Sequence, residues 1–305
     1  MTDDECIQQF RFDKATLHKL VGVLRLEPEY KASNGTTWRA LEGLCVMLKR
    51  LSYPNRLVDC VHIFGRHSTE ISLISNKMIT EMYDKHAHLL QNINQGFVRP
   101  EVFADAIRAK GCPLHNIWAF IDGTLRANCR PKFHQEQVFS GHKRRHGLKY
   151  QNLIYPNGIV GHCYGPVEGR RHDSAVYYQS GLDDLISNVH AEDGTTMAIF
   201  GDTAYASREY LITSFKGAAM TQEMHDFNYI MSSVRESVEW GFSKVCTLFA
   251  FVDYHKNQKI YLQPIAKYYL VSTLLANAHT CAYGSQVSKY FKLQPPSLDE
   301  YFAPG

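Results

Sequence analysis

Hydrophobic and polar positions along the chain fall into two regimes. Up to about residue 90 the apolar positions recur at helical spacing. Phe10, Phe12, Leu17, Leu20, Val21 and Leu24 predict a short helix after Asp13. Beyond the loop Ala32-Ser33-Asn34-Gly35-Thr36, Thr37 can cap a helix from Trp38 to about Leu51, with Leu41, Leu44, Cys45 and Leu48 on one face. Tyr53-Pro54-Asn55 breaks it. A second helix runs from Arg56 to about Phe64 and stops at Gly65, and Ser68-Thr69-Glu70 opens a third that reaches about Leu90. Helix, short turn, helix is the outline of a helix-turn-helix. Its third helix would present Ser72, Ser75, Asn76, Lys77 and Thr80, with Arg66 and His67 at its entry. A helical subdomain that only packs on a core has the same outline.

From about residue 113 the pattern shortens to apolar runs of strand length. Ile117-Trp118-Ala119-Phe120-Ile121 is continuous and rich in β-branched and aromatic residues, so it predicts a buried strand over 117–122 that ends in Asp122 and Gly123. Met197-Ala198-Ile199-Phe200-Gly201 repeats the form and ends in Asp202. Between them, Tyr150–Tyr155 and Ile159–Tyr164 flank Pro156-Asn157-Gly158, a hairpin signal because Asn and Gly tolerate positive φ. Helices are expected over 101–110, 173–189, 208–215, 227–249 and 262–282, the last too often interrupted, by Gln263, Lys267, Asn277 and His279, to cross a membrane. A hairpin, a crossover helix and a further strand make an α/β unit with a mixed sheet. The division is a helix-turn-helix-like, all-helical region 1–95, a linker 96–112 with a short helix, an α/β unit 113–284 and a tail 285–305.

Composition changes this picture in one place. The 305 residues, 45% hydrophobic and 21% charged, suit a globular protein with a full core. The net charge of +3 is small but uneven: residues 111–180 carry nine Lys/Arg against four Asp/Glu, and residues 181–305 nine against thirteen. The positive field thus surrounds Asp122, as a polyanionic partner would require. The eight cysteines form no CxxC pair and no Cys/His ladder, which argues for reduced buried thiols in an intracellular protein and against a zinc site. The opening Met1-Thr2-Asp3-Asp4-Glu5 is acidic and lacks the apolar core of a secretory signal.

Strand-end aspartates often only cap or turn. A third carboxylate alters their meaning. In the long helix, Val234, Val238, Phe242 and Val245 mark a buried stripe, Glu239 borders it, and Glu236 lies on a nearby face. The blocks Ile121-Asp122-Gly123-Thr124, Gly201-Asp202-Thr203-Ala204-Tyr205 and Val234-Arg235-Glu236-Ser237-Val238-Glu239-Trp240-Gly241-Phe242 resemble the three catalytic blocks of PIF/Harbinger-type DDE transposases, a family that includes domesticated Harbinger-derived nucleases. Leu48-Lys49-Arg50-Leu51-Ser52-Tyr53-Pro54, Phe64-Gly65-Arg66, Gly169-Arg170-Arg171-His172-Asp173-Ser174 and Leu274-Leu275-Ala276-Asn277 resemble its other segments, so the likeness spans roughly 38–300. Ala204 and Ala206 depart from the Gly and Pro of many relatives.

The resemblance implies an RNase H-like fold for 113–284 and makes Asp122, Asp202 and Glu239 the catalytic, metal-binding triad, with Glu236 second to Glu239. Three converging carboxylates repel until divalent cations relieve them, and Mg²⁺ or Mn²⁺ prefers such hard oxygens. The implied activity is two-metal cleavage of double-stranded DNA and strand transfer. Arg126, Lys143, Arg144, Arg145, Lys149, Arg170 and Arg171, with Lys77 on the third N-terminal helix, are the expected DNA contacts. Arg130, Lys132 and the histidines His142, His146, His162 and His172 are further polar candidates. Asp173 suits the N-cap of a helix starting at Ser174 or Ala175 better than an extra ligand. A Myb-like partner protein, a nuclear location (Lys143-Arg144-Arg145 also has the composition of a short import signal) and a homo-oligomer fit the same reading. The alternative is a catalytically idle, domesticated DNA-binding or adaptor protein. The tail Leu293–Tyr301 is either a docking strip or a strap on the chain's own core.

Overall fold

The computed structural model describes residues 1–260 and 262–303, the side chain at position 238 set aside. The expectation for Val238 therefore lies outside the described side chains. The helical spacing of the N-terminal region is realised with two departures. The single helix expected first is two, α1 (Asp3–Phe10) and α2 (Lys14–Val23). Arg11 turns left-handed at the break, and Asp13 caps α2 by accepting from the Thr16 N–H at 2.7 Å. The helix expected from Trp38 starts late, because β1 (Glu29–Lys31) and β2 (Thr37–Arg39) pair as an antiparallel hairpin. Tyr30 stacks on Trp38 across it, ring centres 5.4 Å apart. That aromatic cross-strand pair outweighs the cap Thr37 offered, so the region is not all-helical.

Next come α3 (Ala40–Ser52), a 3₁₀ turn, α4 (Val61–Phe64), ended by Gly65 at φ 64°, and α5 (Ser68–His86), which passes into a 3₁₀ turn at Ala87–Leu90. The polar face expected to read bases is partly taken up in packing. Ser75 is buried, Asn76 accepts from the Tyr268 hydroxyl at 3.1 Å, and Arg66 is paired with Glu42 and Glu70. Lys77 stays exposed. A short helix, α6 (Pro100–Arg108), leads to the sheet.

The sheet is built around β3 (Ile117–Ala127). Its run from Ile117 to Ile121 is wholly buried, as a central strand covered on both faces must be. After α7 (Gln135–Val138) and β4 (Phe139–Ser140), β5 (Arg145–Ile154) and β6 (Val160–Glu168) form the predicted hairpin, with Gly158 at φ 85° in its turn. β5 lies antiparallel to β3, and β6 antiparallel to β5. α8 (Asp173–Gln179) and α9 (Leu182–Ile186) replace the single helix expected over 173–189, which Gly181 at φ 64° interrupts. β7 (Ala198–Gly201) then returns parallel to β3, and β8 (Leu211–Thr213) parallel to β7. Leu211-Ile212-Thr213 was expected in a helix; its β-branched residues instead extend the sheet. The order across the sheet is β6–β5–β3–β7–β8, with β4 beside the start of β5.

Two long helices complete the fold: α10 (Gln222–Leu248) and α11 (Ile265–Tyr283). α11 is buried nearly all round, from Ile265 to Thr280, as a helix enclosed by other elements should be. It packs against α5, α10 and β6, so one buried cluster runs through the helical region and the sheet. The tail is a strap. α12 (Gln286–Phe291) and α13 (Leu298–Tyr301) lie back on the protein, Leu298, Tyr301 and Phe302 are buried, and the Asn277 amide donates to the Tyr301 hydroxyl at 2.8 Å. Among the described residues no helix is long and apolar enough to cross a membrane, and none of the eight cysteines is in a disulfide.

Candidate functional site

Strand register brings the first two acids together. β3 and β7 pair in parallel with Ile121 opposite Gly201, so the next residues of the two strands, Asp122 and Asp202, emerge side by side. Asp122 was expected at a strand end. Instead β3 continues to Ala127, paired with β5 alone, whereas β7 stops at Gly201. The missing continuation of β7 leaves a notch at the centre of the sheet, and both aspartates open into it.

α10 supplies the third side of the notch. Met231, Val234, Gly241 and Val245 face inward. Gly241 permits close approach, since a Cβ there would meet Ile154 Cδ1 at 3.0 Å. Glu239 lines the resulting cleft of about 640 Å³; Glu236 does not. Arg235, one turn before Glu239, lies between the acids. Its guanidinium is 3.4 Å from Asp122 Oδ2 and 3.5 Å from Glu239 Oε1. Asp122 Oδ1 also accepts from the Gly123 N–H at 2.7 Å. Burial pushes the Asp122 carboxyl up to about 6; the guanidinium and the Gly123 N–H oppose this, and the Asp202 and Asp173 carboxylates add to it.

Asp173 does not do what its residue type suggested. His172 is the N-cap of α8, Asp173 is the first helical residue, and its side chain makes no cap bond. The carboxylate pairs with Lys149 Nζ at 3.1 Å and presses on Gly123, where a Cβ would overlap Asp173 Oδ1. Beneath it lies Tyr205, 2% exposed, whose hydroxyl has no hydrogen-bond partner among the described residues. Burial and the charges of Asp173, Asp122 and Asp202 push that phenol well above its ordinary value.

The basic residues divide. Lys143, Lys149, Arg170 and Arg171 line the cleft with His142 and His172. Arg144, Arg145 and His146 line a neighbouring hollow of about 500 Å³ with Arg130 and His255. Arg126 lines neither. It is held 3.2 Å from Asp253, donates to Thr124 and Cys246, and stands over the Tyr269 ring. Lys77 is absent from both, and His162 is buried in β6, where burial pushes its pKa down to about 4. Arg235 and Tyr205 were not singled out from the sequence. The signals were there: Arg235 is at i−4 from Glu239 on one helix face, and Tyr205 follows Asp202 at turn distance.

The donors beside Asp122 are hard oxygens: two register-adjacent aspartates, a glutamate across the cleft and an orphaned buried hydroxyl, with His142 and His172 also on the cleft wall. That chemistry fits a Mg²⁺- or Mn²⁺-class ion. Among the described residues, no three His, Cys, Asp or Glu side chains stand close enough to share one ion as placed. Arg235 and Lys149 neutralise the carboxylates in their present arrangement.

Compared with known proteins, the chain matches the family model of the DDE superfamily endonucleases over residues 121–277, just over half its length. No curated protein and no solved structure matches it. The match begins beside Asp122 and ends at Asn277 within α11, so it takes in the whole cleft and the helix behind it. The chain belongs to the DDE superfamily endonucleases.

Proposed function

We propose that this protein is a divalent-metal-dependent DNA endonuclease of the Harbinger transposase type, with Asp122, Asp202 and Glu239 as its metal ligands. The observation that carries this reading is the parallel register that sets Asp122 beside Asp202, under a helix that turns Glu239 to the same cleft. The strand order, three antiparallel strands followed by two parallel ones, supports an RNase H-like catalytic unit. Asp122, Asp202 and Glu239 would hold the divalent ions, whose chemistry there would be to activate a water or 3′-hydroxyl and to stabilise the leaving oxygen. The chain's own residues do the rest. The Gly123 N–H fixes the Asp122 carboxylate. Lys143, Arg170 and Arg171 hold phosphates along the rim, and Arg144 and Arg145 extend that track to the neighbouring hollow. Ser75 and Asn76 of α5, and Arg66 before it, are engaged within the protein, which favours sequence reading by a separate Myb-like partner in the nucleus over reading by α5 itself. The test is cleavage of a duplex bearing the element's terminal repeats with Mg²⁺; equal cleavage by the wild type and Asp122→Ala would sink the site assignment.

One observation favours a second reading, an idle DNA-binding adaptor: Arg235 is already paired with both Asp122 and Glu239. A titration separates the two. The adaptor binds no Mn²⁺ at millimolar concentration, whereas the nuclease does.

A further inference from the structure

Asp173 is at the start of a helix but caps nothing. Its carboxylate lies directly on the backbone of Gly123, the residue after Asp122, so closely that any side chain at 123 would part the two acids. Glycine at this position keeps Asp173 and Asp122 in one compartment. The second observation is the Tyr205 hydroxyl. It is buried, has no hydrogen-bond partner among the described residues, and is faced by Asp122, Asp202 and Asp173. A buried hydroxyl left without a partner is uncommon in folded proteins, and each instance calls for a reason. A metal-ligating carboxylate beside this hydroxyl would serve as its acceptor, since ligating carboxylates are commonly hydrogen-bonded in turn.

We propose that Asp173 is a fourth carboxylate of the cleft, a ligand to the ion shared by Asp122 and Asp202, and that Lys149 is the cation that stands in for that ion. The inference rests on the metal-dependent reading of the cleft. The simpler account is a structural Lys149–Asp173 ion pair. Against it, Lys149 Nζ also donates to the Arg171 carbonyl at 2.6 Å, so the lysine keeps a partner when Asp173 turns away. Both side chains line the cleft, where a freed ammonium meets a DNA phosphate. In the exchange a divalent ion brings the carboxylates one positive charge more than the ammonium it displaces, and a phosphate takes that ammonium up.

The experiment is Mn²⁺ binding to the full chain, read from the loss of the free-ion electron paramagnetic resonance signal, with unfolding followed in parallel. Asp173→Asn keeps the shape and removes the charge; it should weaken Mn²⁺ binding by about ten-fold or more. Lys149→Met removes the competing cation and should tighten binding several-fold, although it removes the same ion pair. A structural pair predicts otherwise: both variants lose stability and neither changes Mn²⁺ affinity, and that result overturns the proposal. If Asp173→Asn does not fold, Lys149→Met decides alone, with unchanged or weaker binding counting against Asp173. Asp122→Asn separates this inference from the reading beneath it. Loss of binding in Asp122→Asn with full binding in Asp173→Asn discards only the fourth ligand, whereas a wild type that binds no Mn²⁺ discards both.

Discussion

At the scale of single residues, Asp122 is held in a conflict. It is part-buried beside two other carboxylates, with one guanidinium and one N–H in its favour, and its carboxyl titrates at about 6. The sign of the consequence follows from linkage. A carboxyl whose folded pKa lies above its unfolded value of 3.8 contributes stability below pH 3.8 and loses it as the pH rises through about 6. Metal-free wild type should therefore be less stable at pH 7.5 than Asp122→Asn, by up to about 3 kcal/mol at 1.36 kcal/mol per pKa unit, and the gap should close towards pH 4. Urea unfolding of both proteins in chelator reads this directly; a gap independent of pH would show that Asp122 is charged and at ease throughout. The two aspartates stand out in sequence because each follows an apolar run of strand length, although that pattern alone also fits a cap or a turn. Arg235 and Tyr205 carried only local spacing signals, i−4 from Glu239 and turn distance from Asp202; their contacts across the cleft, and the orphaned hydroxyl, belong to the tertiary structure.

Elements were legible where one physical signal acted alone. β3, the β5–β6 hairpin, α10 and α11 follow from unbroken apolar runs, one turn motif and long helical periodicity. Where two signals competed, the tertiary one prevailed: the β1–β2 aromatic pair displaced the Thr37 cap, and β7 recruited the three residues of β8 from an expected helix. The tail offered no signal, since a Pro-containing segment reads equally as strap or docking strip until its partner is known. That partner is α11. Tyr301 is buried and accepts from Asn277, so Tyr301→Phe should lower unfolding stability by about 1–2 kcal/mol, as a lost buried hydrogen bond does, without altering DNA binding. A second element-level expectation concerns α5. If its exposed Lys77 takes no part in DNA contact, Lys77→Ala leaves the salt dependence of duplex binding unchanged, while Arg170→Ala with Arg171→Ala lowers the slope of log K against log salt by about 2. Equal effects from both would return the helical region to the role of DNA reader.

At the scale of the whole molecule, the charge pattern and the core respond to pH in opposite ways. The excess of basic residues over 111–180 is divided between the cleft and the neighbouring hollow, and Asp122 in the cleft loses its charge as the pH falls through about 6, which favours phosphate attraction there. The core responds the other way. His162 in β6 and His279 in α11 are pushed by burial to about 4 and about 3, with Lys244 adding to the effect on His279, and His86 is lowered by burial as well. For a histidine whose folded pKa is depressed, stability is fully present above the unfolded value of 6.5 and is lost as the pH falls towards the folded one. By pH 4.5, His162 and His279 would each withdraw about 2–3 kcal/mol at 1.36 kcal/mol per unit, and Asp122 would return about 2 kcal/mol over the same interval. The balance is a net loss of several kcal/mol, a large share of the roughly 5–15 kcal/mol that holds a domain together. The fold should thus lose part of its stability as the pH falls from 7.5 to 4.5, while DNA affinity per folded molecule does not fall. Urea midpoints at pH 7.5 and 5.0, measured beside His279→Gln, check the cause: the variant should show a shallower pH dependence than the wild type, and parallel curves would mean that these histidines accept protons within the folded state.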